Sequence, residues 1–313
     1  MGMANSDKNI TAAKQQFEMG AKYYTGEGMA KDLTKAVKWF RKAADQGDAA
    51  AQCYLGFCYA EGQGVPKDSA KAAEWYRQAA EQGDAAAQYN FGVCYYTGAG
   101  MPKDLTKAAK WFRKAADQGD AEAQYNFGEC CAKGEGVLQD LAKAAEWFRK
   151  AAGQGDAEAQ YHLGECYLKG HGVPKDLAKA AEWYRKAAEQ GDAVAQYIFG
   201  VCSYKGEGVP KDSTKAAKWF RKAADQGDAE AQHLLGLCYY NGDGVPKDLA
   251  KAVEWFHKAA DRGNAKAQVN LGTCYANGVG VSKDLAKAVE WYRKAADQGE
   301  AVAQQALDRL LHK

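Results

Sequence analysis

Eight tryptophans, Trp39, Trp75, Trp111, Trp147, Trp183, Trp219, Trp255 and Trp291, stand 36 residues apart without exception. Each lies in the same phrase, Lys-Ala-Ala/Val-Lys/Glu-Trp-Phe/Tyr-Arg/His-Lys/Gln-Ala-Ala. A strict period of this length means that one supersecondary unit is copied in tandem, so fold and function are both read per unit. The period also weighs against ordinary catalysis, which needs one asymmetric set of groups rather than eight near-copies. A chain of 313 residues would otherwise be read as about two compact domains. A stacked array escapes that rule, because each unit is buried only against its neighbours.

Repeat 3, residues 85–120, serves as the type, and its residues are numbered 1 to 36 below. Eight units tile 13–48, 49–84, 85–120, 121–156, 157–192, 193–228, 229–264 and 265–300. Asp84 is an N-cap for a helix starting at Ala85, and Gly98 ends that helix. Gly100 and Pro102 make a turn, Asp104 caps a second helix of strong helix formers, and Gly119 terminates it. Nothing in the unit alternates as a strand would. The expectation is an all-α chain of sixteen paired helices plus a terminal one. Residues 1–12 form a tail or the start of the first helix. Residues 301–313 begin as another first helix but lose the Gly-x-Cys-Tyr that would receive a further unit, so they read as a capping helix.

Three phrases recur: Ala-Gln-Tyr-x-Leu/Phe-Gly-x-Cys-Tyr, Gly-x-Gly-Val-Pro-Lys-Asp, and Lys-Ala-Ala-x-Trp-Tyr/Phe-Arg-Lys-Ala-Ala-x-Gln-Gly. Together they resemble the Sel1-like repeat, a relative of the tetratricopeptide repeat, over residues 13–300. The resemblance implies a right-handed α–α superhelix, a solenoid whose concave side is lined by the first helices. It also implies the family's usual work as scaffold or adaptor in contact with other proteins. Some cysteine-rich bacterial relatives are linked to β-lactam or cell-wall chemistry, which makes an enzyme the alternative. Those relatives are secreted and staple each unit with paired cysteines. Here the matching positions hold Ala and Gln, for example Ala80 and Gln88, which departs from that branch.

Composition narrows the setting. Lys+Arg 42 against Asp+Glu 40 leaves a net charge of +2, which gives no general surface for nucleic acid or anionic membrane. Seven of the nine cysteines, Cys58, Cys94, Cys130, Cys166, Cys202, Cys238 and Cys274, share one repeat position. Equivalent atoms of stacked units should lie beyond the roughly 7 Å Cα limit for a disulfide. They read as small buried apolar groups in a reducing compartment. With no signal peptide and no apolar run of about 18 residues, the expected location is cytoplasmic and the expected state a monomer. The start does fit the loose N-myristoylation pattern at Gly2, although short patterns often match by chance.

Sites for small groups find little support. The repeated Gly-x-Gly lacks the preceding strand and the Gly-Lys-Ser/Thr ending of a phosphate loop, so these are turn glycines. The histidines, His162, His171, His233, His257 and His312, show no zinc spacing. No nucleophile has a base beside it in the pattern. No cofactor, metal or catalytic residue is expected.

The informative feature is where the copies disagree. On a helical wheel at about 100° per residue, first-helix positions 1, 3, 4, 7, 8, 10 and 11 hold nearly fixed types and occupy one half. Substitutions gather at positions 2, 5, 6, 9, 12 and 13 on the other half. The second helix varies far less, with Lys/Glu, Phe/Tyr and Ala/Thr swaps that read as scaffold. Units sharing one scaffold and differing along one surface suit an extended partner. That surface is predicted to see solvent. It carries Tyr24, Phe57, Tyr89, Val93, Tyr96, Tyr125, Glu129, Tyr161, Glu165, Tyr197, Val201, Tyr204, Leu237 and Tyr240. These are the candidate partner-binding residues, since Tyr couples contact area to a polar tip. Glu122, Glu129, Glu158 and Glu165 are expected to cluster on two adjacent helices, partly offset by Lys133 and Lys169. The expectation is a groove that is apolar towards both ends and acidic in the middle, suited to a protein or peptide segment with a central basic residue. Two alternatives stand beside it. The position-5 tyrosines could pack against a neighbouring unit, or the whole could be an idealised, recently duplicated array with no selected partner.

Overall fold

The computed structural model describes residues 2–311, with side chains from residue 12 onward. The Gly2 pattern therefore falls outside the residues whose side chains are described. Seventeen α-helices, and among the described residues no strand, follow one another. They are α1 (Gly2–Thr25), α2 (Leu33–Ala44), α3 (Ala49–Glu61), α4 (Ser69–Glu81), α5 (Ala85–Thr97), α6 (Leu105–Asp117), α7 (Ala121–Lys133), α8 (Leu141–Gly153) and α9 (Ala157–Lys169). Then come α10 (Leu177–Glu189), α11 (Ala193–Lys205), α12 (Ser213–Asp225), α13 (Ala229–Asn241), α14 (Leu249–Asp261), α15 (Ala265–Asn277), α16 (Leu285–Asp297) and α17 (Ala301–Leu311). The residues ahead of the first repeat continue α1 backwards, which makes it the longest helix.

The ends of each helix are set by the residues the sequence singles out. Asp84 accepts from the Ala87 N–H at 2.7 Å and Asp120 from Ala123 at 2.8 Å; a cap of this kind contributes about 1 kcal/mol. Gly98 closes α5 at φ +81° with its N–H donating to the Cys94 carbonyl. Asp104 caps α6 through the Lys107 N–H, and that bond with the Lys107 ammonium holds its carboxyl below the usual range.

The helices gather into two compact units, Met1–Ala159 and Gln160–Lys313. In each, first helices pack on second helices and second helices on the next first helix, as a solenoid. The core repeats with the sequence. In repeats 2 to 8 position 7 is a buried Leu or Phe, such as Leu55, Phe91, Phe127, Leu235 and Leu271, each worth about 1.5–3 kcal/mol when withdrawn from water. Position 28 lays an aromatic ring over the position-8 glycine. A Cβ added to Gly92 would stand 2.7–2.8 Å from the Phe112 ring, so only glycine admits it. The tryptophans are half-buried to buried. Trp111 meets Phe91 edge-on with centroids 5.3 Å apart, and the Lys114 ammonium lies 3.9 Å from its ring centre. The ladder is a packing anchor with a cationic lid. The nine cysteines are all buried and none forms a disulfide, and burial pushes thiols such as Cys130 and Cys238 up to about 12.

Two contacts lie outside what the spacing conveys. The second turn glycine does more than turn: at Gly100 (φ +76°) a Cβ would overlap the Ser69 carbonyl of the preceding repeat, and at Gly136 that of Leu105. Position 4 is a buried glutamine that ties repeats together. Gln88 Nε2 donates to the Ala80 carbonyl at 3.1 Å, and its Oε1 accepts from Gln118 Nε2 at 2.8 Å. That first bond joins repeat 3 to repeat 2. In repeat 7 Arg262 replaces the second glutamine, and the buried Gln232 Oε1 has no partner. The last helix, α17, buries Ala303 and Leu307 and leaves the apolar Val302 60% exposed.

Candidate functional site

The fourteen residues of the expected surface do not stand open. All but Phe57, which is 37% exposed, are half-buried. The wheel separates packed from unpacked positions for one helix and its partner. In a stacked array each first helix also has a neighbour on either flank, so only a narrow strip faces water.

Three arrangements occupy the first-helix face of the first unit. The position-5 tyrosines lie on their own second helix, with Tyr89 centred 5.9 Å from Phe112 and Tyr125 5.9 Å from Phe148. Their hydroxyls turn to the next first helix. Burial, with Glu122 beside it, pushes Tyr89 up to about 12; burial, with Glu129 and Glu158, raises Tyr125 further. The position-12 tyrosines form clasps across repeats. Tyr24 Oη donates to Gln63 Oε1 at 2.7 Å and Tyr96 Oη to Glu135 at 2.9 Å. Phe57 and Val93 flank a cleft of about 250 Å³ that also reaches Ala60, Tyr76, Asn90 and Ala99.

A second cleft of about 460 Å³ is lined by Tyr89, Glu122, Tyr125, Asn126, Asp156, Ala157 and Glu158. The four expected glutamates sort by pairing. Glu129 is bridged by Lys133. Glu165, in the second unit, is bridged by Lys169 at 2.6 Å and faces His162 at 3.6 Å; His162 and Lys169 hold its carboxyl near 2. Glu122 and Glu158 carry no ion pair among the described residues, and no basic side chain lines their cleft. The acidic surface of the first unit is thus Glu122, Asp156 and Glu158, with Glu129 neutralised.

The second unit repeats the plan. Tyr161 lies 5.8 Å from Tyr184 and 5.2 Å from His162, and Tyr197 and Val201 pack on the buried core. Tyr204 Oη donates to Asp243 at 2.9 Å. Leu237 and Tyr240 line a smaller cleft, about 120 Å³, with Phe256, Asn270 and Thr273. At position 5 of repeat 7 stands His233, buried, its Nε2 accepting from Asn270 Nδ2 at 2.9 Å and its Nδ1 without a partner. Burial, with Lys266 nearby, lowers it to about 4.

Sequence reasoning missed Tyr76, Asn90 and Asp156 as cleft residues. Asp156 and Asn90 were taken up by capping and by the wheel. Tyr76 sits on the second helix, where the Phe/Tyr swap read as scaffold; the extra hydroxyl was the available signal.

A family model described as Sel1 repeat matches the chain at residues 16–48, 49–84, 85–120, 121–156, 157–192, 193–228, 229–264 and 265–300. Among solved structures the chain is similar to c5321, a protective antigen present in uropathogenic Escherichia coli strains and displaying an SLR fold. Identity is 41% over 97% of this chain, with a TM-score of 0.92, and the match spans 66% of that protein's length. It is also similar to a Sel1 repeat protein from Oxalobacter formigenes, at 37% identity over 99% of this chain and 90% of that one, with a TM-score of 0.68. No curated protein matches. No helix among the described residues is long and apolar enough to cross a membrane.

Proposed function

The chain belongs to the Sel1 repeat family, and from that premise we propose that it is a non-catalytic scaffold holding an extended protein segment on its first-helix face. Proteins built from Sel1 and related repeats are in general protein-interaction scaffolds, and no catalytic family is indicated. The observation that carries the finer reading is the cleft of Tyr89, Glu122, Tyr125, Asp156 and Glu158, whose acids are not answered by any lining base. A lysine or arginine of a bound segment enters between two phenol rings and meets the exposed carboxylates of Glu122 and Glu158. Charge-assisted hydrogen bonds of that kind contribute about 1.5–3 kcal/mol each, and the ring faces add attraction for a cation. The clasped tyrosines Tyr24, Tyr96 and Tyr204 serve this reading as walls rather than as contacts, since their hydroxyls are already engaged.

Affinity capture with cross-linking mass spectrometry tests the reading. Cross-links should fall on first helices, and Glu122→Gln with Glu158→Gln should reduce capture at least tenfold. Links confined to the outer faces of α4, α6 and α8, with capture unchanged, would overturn it.

A further inference from the structure

The repeat-2 to repeat-3 joint, between α3 and α5, differs from its neighbours in a way that the scaffold does not use. At three joints, two of them its immediate neighbours, a position-12 tyrosine reaches position 15 of the next repeat: Tyr24–Gln63, Tyr96–Glu135 and Tyr204–Asp243. Here both halves of the clasp are alanines, Ala60 and Ala99. The space they leave is the 250 Å³ cleft lined by Phe57, Ala60, Val93 and Ala99, with Glu61 and Lys67 also in its lining.

The floor of that cleft holds an unanswered polar group. Three repeats carry tyrosine rather than phenylalanine at position 28. In repeat 8 the Tyr292 hydroxyl lies 3.0 Å from Thr273 Oγ1 on the adjoining first helix. In repeat 5 the Tyr184 hydroxyl is buried without a partner. In repeat 2 the position that would hold the threonine is Phe57, which has nothing to offer. Tyr76 is 3% exposed, its ring is pinned over Gly56 and it lines the cleft; its hydroxyl makes no hydrogen bond among the described residues and, unlike that of Tyr184, is not fully enclosed, so it is open to the cleft. Phenylalanine at this position serves five other repeats, so the ring alone meets the packing need and the hydroxyl is left over for another partner.

We propose that this joint is a side-chain socket for the bound segment: an apolar residue inserts between Phe57 and Val93 while its backbone carbonyl accepts from Tyr76 Oη. The inference rests on the first-helix reading above, and charge complementarity names the rest of the occupant. The acidic cleft lies on the same face, at the N-terminal halves of α5, α7 and α9, whereas the socket lies at the C-terminal halves of α3 and α5. Helix spacings of about 8–10 Å, a rise of about 1.5 Å per residue and an extended reach of about 3.3 Å per residue put roughly four to six residues between the two. The partner is an extended segment with an apolar side chain that far from an arginine or lysine.

The test uses the full chain and synthetic dodecapeptides on a glycine–serine background, each with one leucine and one arginine at a different separation. Fluorescence anisotropy reads binding. Ala60→Tyr fills the socket with the residue that repeats 1, 3, 6 and 7 already carry, and Tyr76→Phe installs the commoner residue of that position, so both variants keep the fold; thermal melts verify this. Separations of four to six residues should bind best. Ala60→Tyr should remove the advantage conferred by leucine, at least tenfold, and leave the arginine contribution in place. Tyr76→Phe should weaken the leucine peptides about fivefold, the scale of one hydrogen bond. A leucine advantage that survives Ala60→Tyr overturns the socket, as does arginine-dependent binding that Glu122→Gln abolishes but leucine never improves; in that case the first-helix reading stands. If no peptide binds at all, both fall.

Discussion

The α3–α5 joint and the α5–α7 joint are built from nearly the same residues, yet one is closed and the other open. Both rest a position-28 ring on a position-8 glycine, Tyr76 on Gly56 and Phe112 on Gly92, and both run a glutamine-to-carbonyl bond between repeats, Gln88 to Ala80 and Gln124 to Ala116. The closed joint adds Tyr96 and Glu135. The open one has Ala60 and Ala99, with a phenol hydroxyl left over underneath. Stacking therefore depends on what the joints share, and selectivity is free to reside in what they do not. The difference costs the array little, because the clasp lies at the surface while the shared contacts are buried.

Changes to shared features should damage both joints alike. Gly100→Ala and Gly136→Ala each force a side chain into left-handed backbone against a preceding carbonyl. Each should lose about 3 kcal/mol or more, measured by urea denaturation, and a marked difference between them would break the comparison. A third joint, α13–α15, sharpens it through pH. His233 takes the tyrosine's place and is held near 4, against an unfolded value of about 6.5. The unfolded chain therefore binds a proton that the folded chain refuses. The neutral form's stability is intact above about pH 6.5 and is lost as pH falls towards 4, by up to about 3 kcal/mol. His233→Tyr should remove that extra acid sensitivity in melts between pH 7 and pH 4.5.

Smaller effects follow from the clasps. Tyr96→Phe should cost about 1 kcal/mol, whereas Tyr76→Phe at the open joint should cost nothing or stabilise slightly; equal losses would mean that Tyr76 has a partner within the protein. Arg262→Gln should return roughly 1 kcal/mol by supplying the donor that Gln232 lacks. The least effect expected is from Ala60→Tyr with Ala99→Glu, a gain of about 0.5 kcal/mol from a surface hydrogen bond, readable as a small rise in melting temperature.

Most of the fold was legible because its signals are local. Asp84, Gly98, Asp104 and Gly119 act on backbone groups within four residues, so their meaning does not depend on what packs nearby. The ion pairs Glu146–Lys150 and Glu182–Lys186 form at 3.1 and 3.0 Å for the same reason. The surface was legible only in outline. A wheel treats Tyr89 as facing away from α6, but the ring folds back on Phe112, and Tyr96 looks open until Glu135 of the next repeat arrives 39 residues later. The glutamates could be counted from the sequence; which of them keep an unanswered charge depends on lysines and tyrosines brought in from neighbouring turns and repeats.

The 36-residue period, the caps and the glycines determine by themselves that this chain is a ladder of helix pairs, since each acts through backbone geometry that is the same in every copy. Tertiary structure alone decides that Gln88 bonds to Ala80 of the preceding repeat, that Tyr24, Tyr96 and Tyr204 hold repeats together, and that Tyr76 opens into a cleft between two alanines. Those outcomes depend on atoms 8 to 39 residues apart in sequence, and a side chain's partner at that range is set by how the copies stack rather than by the letters within any one of them.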